Sequence, residues 1–366
     1  MLSRRVVIYI LGGLGIAWLA YLFTPRQSAP TPRNIISEPV AVNLRVPWSI
    51  VFLNDSEAVF TERGGSVKMV DVNTGRIEIL GSLQVAAVGE AGLLGAAEKS
   101  GRLYLYYTYR DGASLKNRVS SFSYSGGISD EVVVLDGIPG APIHDGGRIR
   151  FGPDGALYIT TGDAGNPSES QNLHSLAGKI LRISGDGGIP PDNPFPALPV
   201  FSLGHRNPQG IAWRRETGTM FSTEHGPTGE GGRFAHDEVN IIVAAGNYGW
   251  PEVVGDELKE PYIPPLLHSG GETWAPSGCS FYYGDLDDWR GSLFFAALRG
   301  QHLHRVLLNM ENHVVMHEKL FENSFGRLRD VVEGPDGSLY LLTSNRDGRG
   351  IPVQQDDRII RITSRS

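Results

Sequence analysis

One short pattern recurs six times along this chain, and it restricts the fold more than any other feature. Gly101-Arg-Leu-Tyr104, Gly155-Ala-Leu-Tyr158, Gly218-Thr-Met-Phe221, Gly291-Ser-Leu-Phe294 and Gly337-Ser-Leu-Tyr340 each follow a short apolar run and a polar turn. Ser56-Glu-Ala-Val-Phe60 is a degenerate first copy. A third, alternating apolar segment follows each: Val67–Val70, Val119–Phe122, Ile180–Ile183, Val239–Ile242, Leu303–Val306 and Ile359–Ile362. Alternation at period two marks strands, and the Gly-Pro-Asp-Gly runs at Gly152–Gly155 and Gly334–Gly337 supply tight turns. Three or four antiparallel strands, recurring about every 45 to 70 residues, make one propeller blade, and six blades close radially with few open edges. The expected fold is an all-β six-bladed β-propeller with four-stranded antiparallel blades over residues 41–366, its last blade completed by a strand around Ala41–Val46.

The 47 glycines and 23 prolines suit so many turns. A net charge of −7 offers no broad basic field to nucleic acid. The first residues differ from the rest. Arg4 and Arg5 close a stub, residues 1–5, and residues 6–23 (Val6–Phe23) hold no charge. As a helix they span about 27 Å, near the thickness of a bilayer core. Positive charge before the segment predicts a cytoplasmic N-terminus and an extracytoplasmic domain, periplasmic or on the cell surface. No clean small-residue cleavage site follows, so we expect an uncleaved transmembrane anchor, then a Pro-rich linker over residues 24–40. Cys279 is the sole cysteine and lies in an apolar strand pattern, which points to a buried, inert thiol.

In an antiparallel hairpin, the start of the first strand and the end of the second emerge on one face. Unusual polar residues gather at those two places. Starts carry Glu90, His144, Arg206-Asn207 and Arg327-x-Arg329; ends carry Arg110, Asp163, Glu224–Pro227, Arg299 and Asn345-Arg346. Loops grouped on one face of a rigid scaffold are the usual place for a site.

His144 and Asp163 stand at the two ends of one hairpin, where a carboxylate can fix the imidazole's tautomer and make it a general base; a structural His–Asp pair is the alternative. Arg206, Arg299, Arg327 and Arg329 crowd cations onto one mouth and call for a polycarboxylate or phosphate ligand, unless each pairs with an acid such as Asp330. The carbonyls of Gly226 and Pro227 suit a hard cation such as Ca²⁺. His302 and His304 alternate on one strand, and we assign them to packing or surface roles. The chain has no Walker loop, dinucleotide fingerprint or Gly-x-Ser-x-Gly elbow.

Across nearly all of residues 41–366 the chain resembles the pyrroloquinoline quinone (PQQ)-dependent aldose sugar dehydrogenases, the soluble quinoprotein glucose dehydrogenase-like proteins. The resemblance is carried by Gly89-Glu-Ala-Gly-Leu-Leu-Gly95, His144–Asp163, Leu203–Gly210, Glu224-His-Gly-Pro227, Asp237-Glu-Val-Asn240, Gly246–Pro251, Trp274-Ala-Pro276 and Arg327-Leu-Arg-Asp330. It implies PQQ held over the central channel with Ca²⁺. His144 matches the family's general base and Asp163 its supporting carboxylate. Arg206, Asn207, Arg327 and Arg329 match cofactor contacts; Gly226 and Pro227 match the Ca²⁺ ligands; Glu90 and Trp274 match positions near the sugar. Glu238 and the carbonyl of Tyr248 match a second, structural Ca²⁺ of some members. Arg299 stands where some members carry Lys, and Glu90 and His225 where the best-known branch has Gln. The implied reaction takes an aldose with a C1 hydroxyl to a lactone and PQQ to its reduced form, with His144 accepting the proton as hydride goes to the quinone. From the membrane topology alone we expect an exported, anchored domain to pass those electrons to an external acceptor such as a respiratory one.

Two other readings compete. One is a non-enzymatic six-bladed propeller of the same family that binds a glycan or protein partner; it should lack the base or the Arg cluster, and both are present. The other is a Ca²⁺-dependent hydrolase or lactonase, which needs several carboxylate and Asn ligands rather than a Gly-Pro carbonyl pair.

Overall fold

Each repeat folds as one four-stranded antiparallel sheet, and six such sheets make up residues 35–364, the part of the chain described by a computed structural model. The expected N-terminal anchor lies outside these residues. After β1 (Ile35–Ala41) the chain runs blade by blade. Blade one is β2 (Pro47–Phe52), β3 (Glu57–Glu62), β4 (Ser66–Asp71) and β5 (Ile77–Ser82). Blade two is β6 (Leu93–Lys99), β7 (Arg102–Asp111), β8 (Ser114–Ser123) and β9 (Ser129–Gly140). Blade three is β10 (Ile149–Phe151), β11 (Leu157–Thr161), β12 (Lys179–Ile183) and β13 (Val200–Leu203). Blade four is β14 (Pro208–Trp213), β15 (Met220–Glu224), β16 (Glu238–Ile242) and β17 (Leu267–His268). Blade five is β18 (Pro276–Tyr282), β19 (Ser292–Ala297), β20 (His302–Leu308) and β21 (Val314–Leu320). Blade six is β22 (Leu328–Glu333), β23 (Leu339–Thr343) and β24 (Ile359–Ser364), completed by β1. Among the described residues no helix is long and apolar enough to cross a membrane.

The closing strand differs from expectation. β1 pairs antiparallel with β24, Ile35 opposite Ser364, so the ring is sealed by Ile35–Ala41 and not by Ala41–Val46. Pro39 fits because β1 is an outer strand, where a missing N–H breaks no ladder. Residues 42–46 instead lead into blade one, held by Leu44 N–H to the Asp357 carbonyl (2.9 Å) and Val46 N–H to Asp357 Oδ2 (3.1 Å).

The apolar clusters lie between blades. Phe60 and Ala58 of β3 pack toward blade six, against Tyr340 and Leu342, whereas Val59 packs toward blade two, against Leu103 and Leu105. Period-two alternation thus feeds two interfaces from one strand. Each fully buried Phe or Leu contributes about 1.5–3 kcal/mol. The repeated aromatic also closes its own turn. Tyr158 and Tyr340 donate from their hydroxyls to Asp154 (3.0 Å) and Asp336 (2.9 Å) of their Gly-Pro-Asp-Gly turns. Cys279 is fully buried, and burial pushes its thiol up to about 12, so it is inert.

Where the first strands converge, Arg148, Asp330, Ser49 and Gln209 tie four blades together. Arg148 Nη1 lies 2.8 Å from Asp330 Oδ2 and 3.1 Å from Ser49 Oγ, its Nε donates to the Gln209 carbonyl at 3.0 Å, and its guanidinium covers the Trp48 ring.

Candidate active site

The turn into β10 places His144 in a left-handed conformation, φ +58°. Its Nδ1 sits 2.7 Å from Asp163 Oδ1, at the end of β11. Asp163 is fully buried and also accepts N–H bonds from Gly165 (2.8 Å) and Trp250 Nε1 (2.9 Å). A carboxylate so held accepts Nδ1–H and leaves His144 Nε2 as the imidazole's basic face. Close approach of the two loops requires Gly162: a Cβ there would lie 1.9 Å from the His144 carbonyl oxygen. Glu90 fixes the other side, its Oε2 accepting the His144 backbone N–H at 3.1 Å.

The arginines meet on this same face, in different circumstances. Arg206, almost fully buried, bonds Glu230 (2.5 Å) and Thr228 (3.2 Å) and lies against Trp250. Arg327 bonds Asp347 at 2.9 Å. Arg329 has no carboxylate partner among the described residues; its Nη1 donates to Gln209 Oε1 (2.6 Å) and Ser277 Oγ (3.3 Å). Burial, with Arg327 and Arg63 nearby, pushes it down to about 9. Asp330 serves Arg148 instead, so it does not neutralise the cluster. Arg299 is exposed beyond β19 and makes no ion pair among the described residues.

Among the described residues, Asn207 Nδ2, Arg329 Nε and His225 Nε2 on this face are buried without a hydrogen-bond partner. Asn207 uses only Oδ1, which accepts Gly146 N–H at 3.0 Å. His225 is pushed down to about 3, by burial first and then by the positive neighbours Arg329 and Arg206, so at neutral pH it is uncharged. Buried polar groups are normally satisfied, and several left open on one wall mark the seat of a polar guest.

Beside this wall, Arg206, Glu224, His225, Gly226, Pro227, Glu238, Tyr248 and Trp250 enclose a cavity of about 10 Å³, room for about one water-sized guest. Glu224 Oε2 contacts His205 Nδ1 at 2.8 Å and its Oε1 accepts the Arg206 backbone N–H, which locks the turn into β14. Burial, then the nearby Glu224 carboxylate, raises Glu238 well above the ordinary carboxylate range. Asn240 Oδ1, close by, is unpartnered. Asp237 braces the Gly226–Pro227 turn, accepting N–H bonds from Gly226 (2.9 Å) and Trp274 (2.6 Å). Among the described residues no group of three or more His, Cys, Asp or Glu side chains forms a metal centre, so a cation here would rely on carbonyl oxygens beside the carboxylates.

Trp274 and Arg110 occupy different settings. Trp274 packs its indole on Phe295, His304 and His317 in the core between blades four and five, while its backbone N–H is held by Asp237, the residue that braces the Gly226–Pro227 turn. Arg110 stays exposed near the tip of the β7–β8 hairpin. Other contributors carried no local signal. Asp347 holds Arg327, Arg349 lies 2.7 Å from Glu90, and Trp250 holds Asp163 from 87 residues away. The buried His302 and His304 join the half-buried His317 in a chain of imidazoles, 2.6 and 2.7 Å apart, which agrees with a packing role.

Comparison with known proteins gives this geometry its relatives. An aldose sugar dehydrogenase of Escherichia coli is 31% identical, covering 86% of this chain and 93% of that protein. The solved structure of a Thermus thermophilus protein described as an oxidoreductase (glucose dehydrogenase) superposes with a TM-score of 0.84 at 43% identity, covering 90% of this chain and all of that one. The PQQ-bound aldose sugar dehydrogenase of Streptomyces coelicolor superposes with a TM-score of 0.81 at 35% identity, over 92% of this chain and all of that one. The glucose/sorbosone dehydrogenase family profile matches residues 44–358, nearly the whole propeller, and with these likenesses in sequence and shape the chain belongs to that family, among the quinoprotein aldose sugar dehydrogenases.

Proposed function

We propose that this protein is a quinoprotein oxidoreductase that oxidises the C1 hydroxyl of aldose sugars to lactones, with PQQ and Ca²⁺ as cofactors. The observation that carries the reading is the buried His144–Asp163 pair on the same face as unpartnered polar atoms of Asn207, Arg329 and His225. Arg206, Asn207, Arg327 and Arg329 would hold the anionic cofactor, with Arg299 at the rim, because guanidinium groups match carboxylates. His225 Nε2 adds a neutral polar contact. The carbonyls of Gly226 and Pro227 would take Ca²⁺, and Glu238 with the Tyr248 carbonyl a second ion; the buried Glu224–Glu238 pair supports this, since a cation would relieve its repulsion.

His144 Nε2 accepts the proton of the C1 hydroxyl as hydride leaves C1, and Asp163 acts as a positioning residue that stabilises the imidazolium. The bound quinone supplies the two-electron acceptor. Arg206 and Arg329 favour negative charge on that side of the site. Glu90, whose carboxylate holds the His144 backbone, lines the sugar side. We extend the reading to topology: residues 6–23 anchor the chain, the propeller is extracytoplasmic, and an external respiratory acceptor takes the electrons.

The decisive experiment adds PQQ and Ca²⁺ to the apo protein and assays a panel of aldoses with an artificial dye. Sugar-dependent bleaching supports the dehydrogenase. A folded protein that binds PQQ yet bleaches with no sugar would defeat it and favour a binding propeller.

A further inference from the structure

We infer that Arg349 is a specificity-determining residue of the sugar site: paired with Glu90, it offers a donor and an acceptor side by side to two neighbouring hydroxyls of a neutral aldose. The inference rests on the function proposed above and goes beyond it by naming what selects the sugar.

Arg349 and Glu90 are 259 residues apart, yet Arg349 Nη1 lies 2.7 Å from Glu90 Oε1. The bond joins the loop after β23 to the turn before β6. The other Glu90 oxygen accepts the His144 backbone N–H, so the pair is bonded directly to the residue proposed as the base. On the far side, the Arg349 backbone N–H donates to Asp347 Oδ1 (2.8 Å), and Asp347 Oδ2 accepts from Arg327 (2.9 Å). One loop therefore links a proposed cofactor arginine to the sugar side. Exposure places the pair at a threshold: the Glu90 side chain is 17% exposed and that of Arg349 56%. A guanidinium has five N–H donors, and among the described residues this one bonds only Glu90, which leaves donors for a guest.

A carboxylate accepts and a guanidinium donates; a hydroxyl does both. Adjacent ring hydroxyls therefore satisfy the pair without displacing either partner. A sugar that brings its own carboxylate meets Glu90 as a like charge. Burial alone would raise Glu90, but His225 and Arg349 outweigh it and hold the carboxyl at about 2. His225 is cationic only at the acid extreme, so at neutral pH Arg349 is the partner that matters. Glu90 is faced by Arg349, Arg63, Arg329, His225, His144 and Asp145.

The test compares full-length wild type, Arg349→Ala, Arg349→Lys and Glu90→Gln, loaded with PQQ and Ca²⁺, on neutral aldoses and the corresponding uronic acids. Loss of a charged hydrogen bond predicts KM for the neutral sugar up about tenfold in Arg349→Ala with kcat nearly constant, and partial recovery in Arg349→Lys. Glu90→Gln should narrow the preference for neutral sugar over uronic acid. Independently, ¹³C NMR of the apo protein should show Glu90 titrating higher in Arg349→Ala. An unchanged KM, a fall in kcat alone, or an unmoved Glu90 titration overturns the inference. If wild type bleaches dye with no sugar, the parent reading fails instead; calorimetry of a neutral aldose on the apo proteins then decides, and equal affinity for wild type and Arg349→Ala overturns the pair's role.

Discussion

His144 Nδ1 and Asp163 Oδ1 lie 2.7 Å apart, and Asp163 is itself held by Trp250 Nε1 on its second oxygen. The imidazole is thus oriented by a carboxylate that cannot swing away. Positioned general bases contribute about 10²–10⁴-fold, so His144→Ala should lose turnover by at least that order. The hydrogen bonds of His144 run to Asp163, Glu90 and the Ala164 N–H and not to the arginine wall. PQQ affinity, followed by absorbance titration, should therefore stay within about threefold, a difference below 1 kcal/mol. Turnover that survives in His144→Ala places the base elsewhere.

A second prediction concerns pH and calcium. Glu238 is raised above its ordinary value of 4.5 in the fold, by burial first and then by Glu224. Between the unfolded value and the raised one, the native state binds the extra proton. Stability from this group is therefore fully present below about 4.5 and is lost as pH rises toward the folded value. Ca²⁺ needs the anionic form, so it should raise Tm more at pH 8 than at pH 5. Glu238→Gln should flatten both trends. Melting curves with Ca²⁺ or chelator at the two pH values check this, and equal calcium shifts in wild type at both would refute it.

A third prediction tests the arginine wall. Arg329 has an unpartnered Nε and no carboxylate partner among the described residues. Its charge is therefore available to an anionic guest. Hydrogen bonds to charged groups are worth about 1.5–3 kcal/mol, so Arg329→Gln should weaken PQQ binding by about 10- to 100-fold. Arg299→Gln, at the exposed rim, should weaken it less. Titration of both variants with PQQ decides, and an Arg329→Gln affinity equal to wild type would remove Arg329 from the cofactor wall.

The blades were legible because each encodes itself locally. Gly-Pro-Asp-Gly-x-Leu-Tyr closes a turn, buries an aromatic and satisfies its hydroxyl within seven residues, as Asp154 and Tyr158 show. The gathering of His144, Asp163, Arg206 and Arg327 on one face followed from antiparallel geometry. The pairings were not legible. Arg349 with Glu90, or Arg329 with Gln209 at 120 residues, leaves no spacing for a sequence to display. The closing strand is not legible because Pro39 and the nearby prolines have the composition of a linker, while the property that admits Pro39, an outer-strand position, exists only once the ring is closed. Trp274 is covered by His304 and His317 of another segment, a contact that its own stretch of sequence does not display.

At the hub, the buried Arg148–Asp330 pair joins blades three and six. Burial lowers Arg148, while Asp330 works against that shift. Asp330→Ala should destabilise by about 3–5 kcal/mol, because it strands a buried charge. Arg148→Met combined with Asp330→Leu should recover much of that loss, since no charge is then left unpaired. Urea unfolding of the three proteins measures it. A double variant no better than the single one would mean that Arg148's contacts with Ser49, Gln209 and Trp48, rather than charge pairing, dominate.

The ring closure separates two roles within the first 41 residues. β1 covers the β24 ladder from Ile35 opposite Ser364 to Ala41 opposite Ile359. A chain starting at residue 24 keeps that strand and loses only the proposed anchor, so it should melt with the full-length propeller yet leave the membrane fraction. A chain starting at residue 42 bares the edge of β24, unfastens blade six and opens a template for strand pairing between molecules. It should melt lower and aggregate on heating, as light scattering would report. If the residue-42 chain were as stable as the residue-24 chain, β1 would be an ornament of the fold rather than its closure. If the residue-24 chain still sedimented with membranes, the anchor would lie elsewhere.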